Sequence, residues 1–159
     1  AMVSYQTALS DISAVIETIW RPRCCWTDLE VSYLSEAMPL CRRLRVLNLA
    51  GNGPSKDQAD KDVNGISDRG IMTLMQSLPA SLAELDLSMN YSITEIGAAI
   101  LALRLTNSLG YLNLYGIQCD EEGGTLKACA RKLAPPEMNE TGITKRLIKG
   151  GTRGRSYAG

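Results

Sequence analysis

The chain contains no histidine and no phenylalanine, and aromatic residues make up only 5% of it. Without histidine, the Ser-His-Asp and Cys-His nucleophile systems and the commonest zinc ligand sets are excluded. Neither a G-x-x-x-x-G-K-[ST] phosphate loop nor a G-x-G-x-x-G turn occurs. Carboxylates are plentiful, yet no recognisable motif sets two of them up as an acid and base pair. We therefore expect a chain that is not an enzyme and takes no cofactor. No apolar run approaches the roughly 18 residues of a membrane span. No basic stretch followed by an apolar block opens the chain, so no secretory signal is expected. Five cysteines, an odd number without a regular framework, fit a reducing, intracellular compartment. The cytoplasm is the first expectation, and an organelle the second if a targeting segment has been removed.

Net charge is zero but unevenly spread. Residues 1–130 carry ten Lys/Arg and fifteen Asp/Glu, whereas residues 131–159 carry seven and two. The body is acidic and the tail basic.

What the chain has in place of catalytic motifs is a phrase repeated three times. Leu44-Arg-Val-Leu47-Asn-Leu49-Ala-Gly-Asn52 returns as Leu82-Ala-Glu-Leu85-Asp-Leu87-Ser-Met-Asn90, then as Leu109-Gly-Tyr-Leu112-Asn-Leu114-Tyr-Gly-Ile117. The first leucines lie 38 and then 27 residues apart. Thirteen residues separate Asn52 from Ile66 and two separate Asn90 from Ile93, so a polar insertion over 53–65 accounts for the difference. After each asparagine the pattern turns helical. Ile71, Leu74 and Leu78 share one face in one unit, and Ile93, Gly97, Ile100, Leu101 and Leu105 do so in the next. The last unit is weaker, with Cys119, Glu121, Gly123, Leu126 and Leu133.

Upstream, Trp26-Thr-Asp28, Leu34, Met38 and Pro39 reproduce the spacing of Ile66-Ser-Asp68, Leu74, Leu78 and Pro79. This predicts a degenerate first unit with its strand near Arg21 to Cys25. Leu9, Ile12, Ile16 and Ile19 are spaced as one stripe of an amphipathic helix, from about Gln6 to Trp20, and predict an N-terminal cap.

The L-x-x-L-x-L-x-x-N phrase resembles the leucine-rich-repeat superfamily over about residues 26–133, and within it the long-repeat class typified by ribonuclease inhibitor. Ile117, in place of the turn asparagine, departs from the pattern. The resemblance implies an α/β fold: a short right-handed solenoid with parallel strands on its concave face, helices on its convex face and the helical cap at its start. It also implies protein binding. The domain is expected over 1–134, with residues 135–159 a basic, Gly/Arg-containing tail that begins at Pro135-Pro136.

Three candidate sites follow. In a strand, the residues flanking the inward leucines point outward, which aligns Val46, Glu84 and Tyr111 in one column, Asn48, Asp86 and Asn113 in a second, and Ala50, Ser88 and Tyr115 in a third. Tyrosines of this kind anchor protein interfaces, and the carboxylates favour a basic or hydrogen-bond-donating partner. A merely solvated face is the competing reading. In the tail, Lys145, Arg146, Lys149, Arg153 and Arg155 could dock on an acidic protein surface, fold back on the acidic body of this chain, or track nucleic-acid phosphates. In the insertion, Asp60, Asp62 and Asn64 match positions 1, 3 and 5 of a calcium loop, with Gly65 at the tight turn and Asp68 at position 9. Position 12 is Ile71 instead of a bidentate glutamate, so the competing reading is a polar, solvated loop.

The function expected is a non-enzymatic interaction module, an adaptor or structural subunit of a larger assembly. It would bind protein through the concave face, with the tail as a second contact. The alternatives are a ribonucleoprotein subunit that uses its tail, and a calcium-responsive binder. Cys41, Cys119 and Cys129 are expected as packing thiols. Cys24 and Cys25, pointing to opposite sides of an extended segment, would make a poor chelate.

Overall fold

The computed structural model describes residues 15–53, 65–104 and 108–118. Four three-residue strands, β1 (Thr18–Trp20), β2 (Val46–Asn48), β3 (Glu84–Asp86) and β4 (Tyr111–Asn113), form one parallel sheet in chain order. Between them run α1 (Asp28–Ala37), followed by a 3-10 turn at Met38–Leu40, then α2 (Asp68–Leu74) and α3 (Glu95–Arg104). The helices lie side by side as a layer, α1 against α2 and α2 against α3.

Each phrase folds the same way because its leucines have one place to go. Leu44, Leu47 and Leu49 are buried, as are Leu82, Leu85 and Leu87 and then Leu109, Leu112 and Leu114. Fully burying such a side chain contributes about 1.5–3 kcal/mol. The helices supply the other wall through Val31, Ile71, Leu74, Ala98 and Leu101. No unit could close this core alone.

The first strand corrects the sequence reading. It lies at Thr18–Trp20 and not near Arg21 to Cys25, and Ile19 pairs in register with Leu47. The expected cap helix therefore does not reach Trp20: helix is present at Val15, and the chain is extended again by Thr18. Ile16-Glu-Thr-Ile19-Trp-Arg21 is a worn strand phrase with Arg21 in the third leucine's place. A spacing of three is common to a helix stripe and to L-x-x-L, and this allowed the two isoleucines to be read as helix. Residues 6–14 of the cap lie outside the described residues. So do Leu105, the third unit's Cys119 to Leu133 and the tail over 135–159.

A left-handed backbone residue ends every strand turn, at Arg23 (φ 54°), Gly51 (φ 68°), Met89 (φ 61°) and Gly116 (φ 82°). The turns are tied together by asparagine. Asn52 Nδ2 donates to the carbonyls of Leu49 (2.9 Å) and Arg21 (2.7 Å), while its Oδ1 accepts from the amides of Cys24 and Trp26. Asn90 Nδ2 donates to the Leu49 and Leu87 carbonyls, each at 2.9 Å, and its Oδ1 accepts from the Asn52 amide. Both side chains are buried, and these bonds remove the cost of unpaired turn backbone. At Ile117 the same place is filled by a buried apolar side chain.

Candidate functional site

The strand register sets the open face of the sheet. Thr18, Val46, Glu84 and Tyr111 form one row of partners, and Trp20, Asn48, Asp86 and Asn113 form the next. The inward residue is buried in β2, β3 and β4 and half-buried in β1, and its neighbours are turned to the opposite side. Trp20 belongs to this face and is 60% exposed. In the sequence it stands at the end of the helical stripe over Gln6 to Trp20, which masks its place in a strand. The signal that could have found it is its place one residue after Ile19, where Asn48 follows Leu47.

Trp20, Val46, Leu47, Asn48, Glu84, Asp86 and Tyr111 line a shallow cleft of about 220 Å³. Partial burial, with the Asp86 and Glu84 carboxylates beside it, pushes the Tyr111 phenol above its ordinary ionisation range, against a smaller opposing effect of Asn113. Among the described residues, neither Glu84 nor Asp86 forms an ion pair.

The second row is more engaged with its own backbone than an open contact surface requires. Asn48 is buried, and its Oδ1 accepts from the Ala50 amide at 3.0 Å. Asp86 Oδ1 accepts from the Ser88 amide (2.9 Å) and hydroxyl (2.6 Å), and its Oδ2 accepts from Asn113 Nδ2 at 3.2 Å. Asn113 Oδ1 in turn accepts from the Tyr115 amide. This repeated side-chain-to-backbone turn uses Asn48 Oδ1, and Asn48 still lies on the lining of the cleft. In the third column Ala50 is half-buried and Ser88 buried, whereas Tyr115 is 41% exposed and stands beyond the cleft.

Of the calcium candidates, Asp68 alone lies among the described residues. Its carboxylate turns into the next unit, where Oδ1 accepts from the amides of Thr94 (2.7 Å) and Gly97 (2.9 Å) and Oδ2 accepts from the Thr94 hydroxyl (2.6 Å). Asp28 does the same one unit earlier, accepting from the Ser67 amide (2.8 Å) and hydroxyl (2.6 Å). These aspartates join helices, and position 9 of the loop is already in use. Asp60, Asp62 and Asn64 lie outside the described residues, as do Lys145, Arg146, Lys149, Arg153 and Arg155 of the tail. Among the described residues, no group of three or more acidic or cysteine side chains could hold a metal ion.

Cys24 and Cys25 are exposed thiols. The segment is not extended as expected: it follows a turn, and Cys25 has a left-handed backbone (φ 56°). Cys41 is buried, its thiol donates to the Ala37 carbonyl, and burial raises its ionisation range. No described helix is long and apolar enough to cross a membrane.

No family model and no curated protein matches the chain. Among solved structures it is similar to the tropomodulin C-terminal domain of Caenorhabditis elegans, with a TM-score of 0.52 and 14% identity over 80% of this chain and 87% of that one. At that identity the likeness concerns the fold, a leucine-rich-repeat-like α/β arrangement with four parallel strands and three described helices.

Proposed function

We propose that this chain is a non-enzymatic protein-binding module, an adaptor or structural subunit built as a short right-handed leucine-rich-repeat solenoid. In this reading the helix-free side of the sheet is the concave face and holds the partner. The observation that carries it is the composition of that face: Trp20, Tyr111 and Tyr115 stand on or beside a cleft with two carboxylates. Large amphipathic rings on a rigid sheet supply contact area at small entropic cost, and residues of this kind dominate binding energy at protein interfaces. The resemblance of the repeats to the long-repeat class and the likeness to the tropomodulin C-terminal domain support a binding module over an enzyme. Exposed thiols at Cys24 and Cys25 are in keeping with a reducing, intracellular setting.

The test is affinity capture from the source cells, with and without nuclease, comparing the native chain with a folded Trp20→Ala/Tyr111→Ala variant. Partners that survive nuclease and are lost with the two rings support the reading. Partners that persist in the variant, or vanish with nuclease alone, overturn it in favour of the tail or a nucleic acid.

A further inference from the structure

We infer that the cleft between Trp20 and Tyr111 receives an arginine side chain carried by the protein partner. This deepens the reading of the sheet face as a protein-binding surface and rests on it. The cleft volume of about 220 Å³ falls below the roughly 300–1,000 Å³ usual for small-molecule sites, and suits a single side chain inserted from outside. Its lining combines two aromatic rings and two carboxylates and includes no basic residue. The Glu84 and Asp86 carboxylates act on Tyr111 without an ion pair of their own among the described residues. A cation entering the cleft therefore meets the carboxylates whose charge acts on Tyr111, with Trp20 also lining the space.

Arginine fits better than lysine because its planar guanidinium stacks on indole and phenol rings while its N–H groups fork onto carboxylates. Asp86 is held in place for this role: Oδ1 accepts twice from Ser88, while Oδ2 has a single partner, Asn113 Nδ2 at 3.2 Å. A partner's folded surface delivers the side chain already ordered. The chain's own tail, with five cations between Lys145 and Arg155, is the other source of a cation, and the experiment separates the two.

The probe is the peptide acetyl-Gly-Arg-Gly-amide, titrated into the full-length chain by NMR beside its citrulline counterpart, which keeps the shape and loses the charge. Saturable shifts at the Trp20 indole and Tyr111 ring are expected, with binding about tenfold weaker for citrulline and for a Glu84→Gln/Asp86→Asn chain. Equal binding of arginine and citrulline, or shifts that bypass Trp20, overturn the inference. A native chain that stays silent, while one with Lys145, Arg146, Lys149, Arg153 and Arg155 replaced by glutamine responds, overturns it too and assigns the cleft to the tail. Partners lost with the rings but indifferent to charge would sink this inference and leave the binding-face reading standing.

Discussion

The carboxylate of Asp68, the first residue of α2, grips Thr94, the residue before α3, through both oxygens: Oδ1 accepts from the amide at 2.7 Å and Oδ2 from the hydroxyl at 2.6 Å. Thr94 Oγ1 is also the acceptor for the Ile96 amide in the first turn of α3. One side chain thus holds the start of the next helix. Asp68→Ala should lower unfolding free energy by about 2 kcal/mol, read by urea titration, whereas Asp68→Asn should lose less. Equal stability of alanine and wild type would remove this joint from the energetics.

Gly97 is part of the same joint. A Cβ at that position would come within 2.4 Å of Asp68 Oδ1 and 2.8 Å of Ile93 Cγ2. Gly97→Ala should therefore destabilise the chain by about 1–3 kcal/mol, although alanine is the better helix former. Because the clash is with Asp68, the double variant Asp68→Ala/Gly97→Ala should cost less than the sum of the two single changes, which a double-mutant cycle measures.

The leucines and tyrosines of a phrase should separate cleanly. Leu85→Ala and Leu112→Ala, both fully buried, should cost about 2–5 kcal/mol each. Tyr115→Ala, at a side chain 41% exposed, should leave stability within about 0.5 kcal/mol of wild type. Thermal unfolding followed by circular dichroism distinguishes these, and an unfolded Tyr115→Ala chain would show that the register assigned to β4 is wrong.

Tyr111 should ionise above its ordinary value of about 10, for two reasons: partial burial and the neighbouring Asp86 and Glu84 carboxylates. Its raised folded value means that the stability it contributes is present below pH ~10 and lost as pH climbs through that value. In Glu84→Gln/Asp86→Asn the ring should titrate earlier than in the native chain while still lagging free tyrosine, since burial remains. The Tyr111 ring-carbon shift against pH reads both effects.

Alkylation should sort the described thiols by position. Cys24 and Cys25 are exposed and should react with iodoacetamide in the native state. Cys41, buried and raised in its ionisation range, should react only after unfolding. Peptide mapping of the modified sites provides the measurement.

The sheet was legible wherever three leucines stood together, because only one face can bury them and the alternation of a strand then settles the rest. It was illegible at β1, where Arg21 replaces the last leucine and Ile16 and Ile19 satisfy a helical stripe equally well. That ambiguity carried Trp20 into the wrong element and hid one of the seven residues lining the cleft. Columns of outward residues could be aligned from spacing, but their engagement could not: that Asn48 Oδ1 accepts from the Ala50 amide is not contained in the spacing. The matching positions of Asp28 and Asp68 were visible as repeat spacing. That each reaches the following helix is a tertiary relationship no local pattern contains.

The two polar ladders run in opposite senses along the stack. On the turn side each asparagine reaches back, Asn52 to Arg21 and Asn90 to Leu49. On the helix side each aspartate reaches forward, Asp28 to Ser67 and Asp68 to Thr94. A pile of units braced along both diagonals resists shear and torsion far better than one braced along a single diagonal. Trp20 on the first strand and Tyr111 on the fourth are therefore held three strand steps, or about 14 Å, apart at the backbone, which sets the width of the face a partner meets.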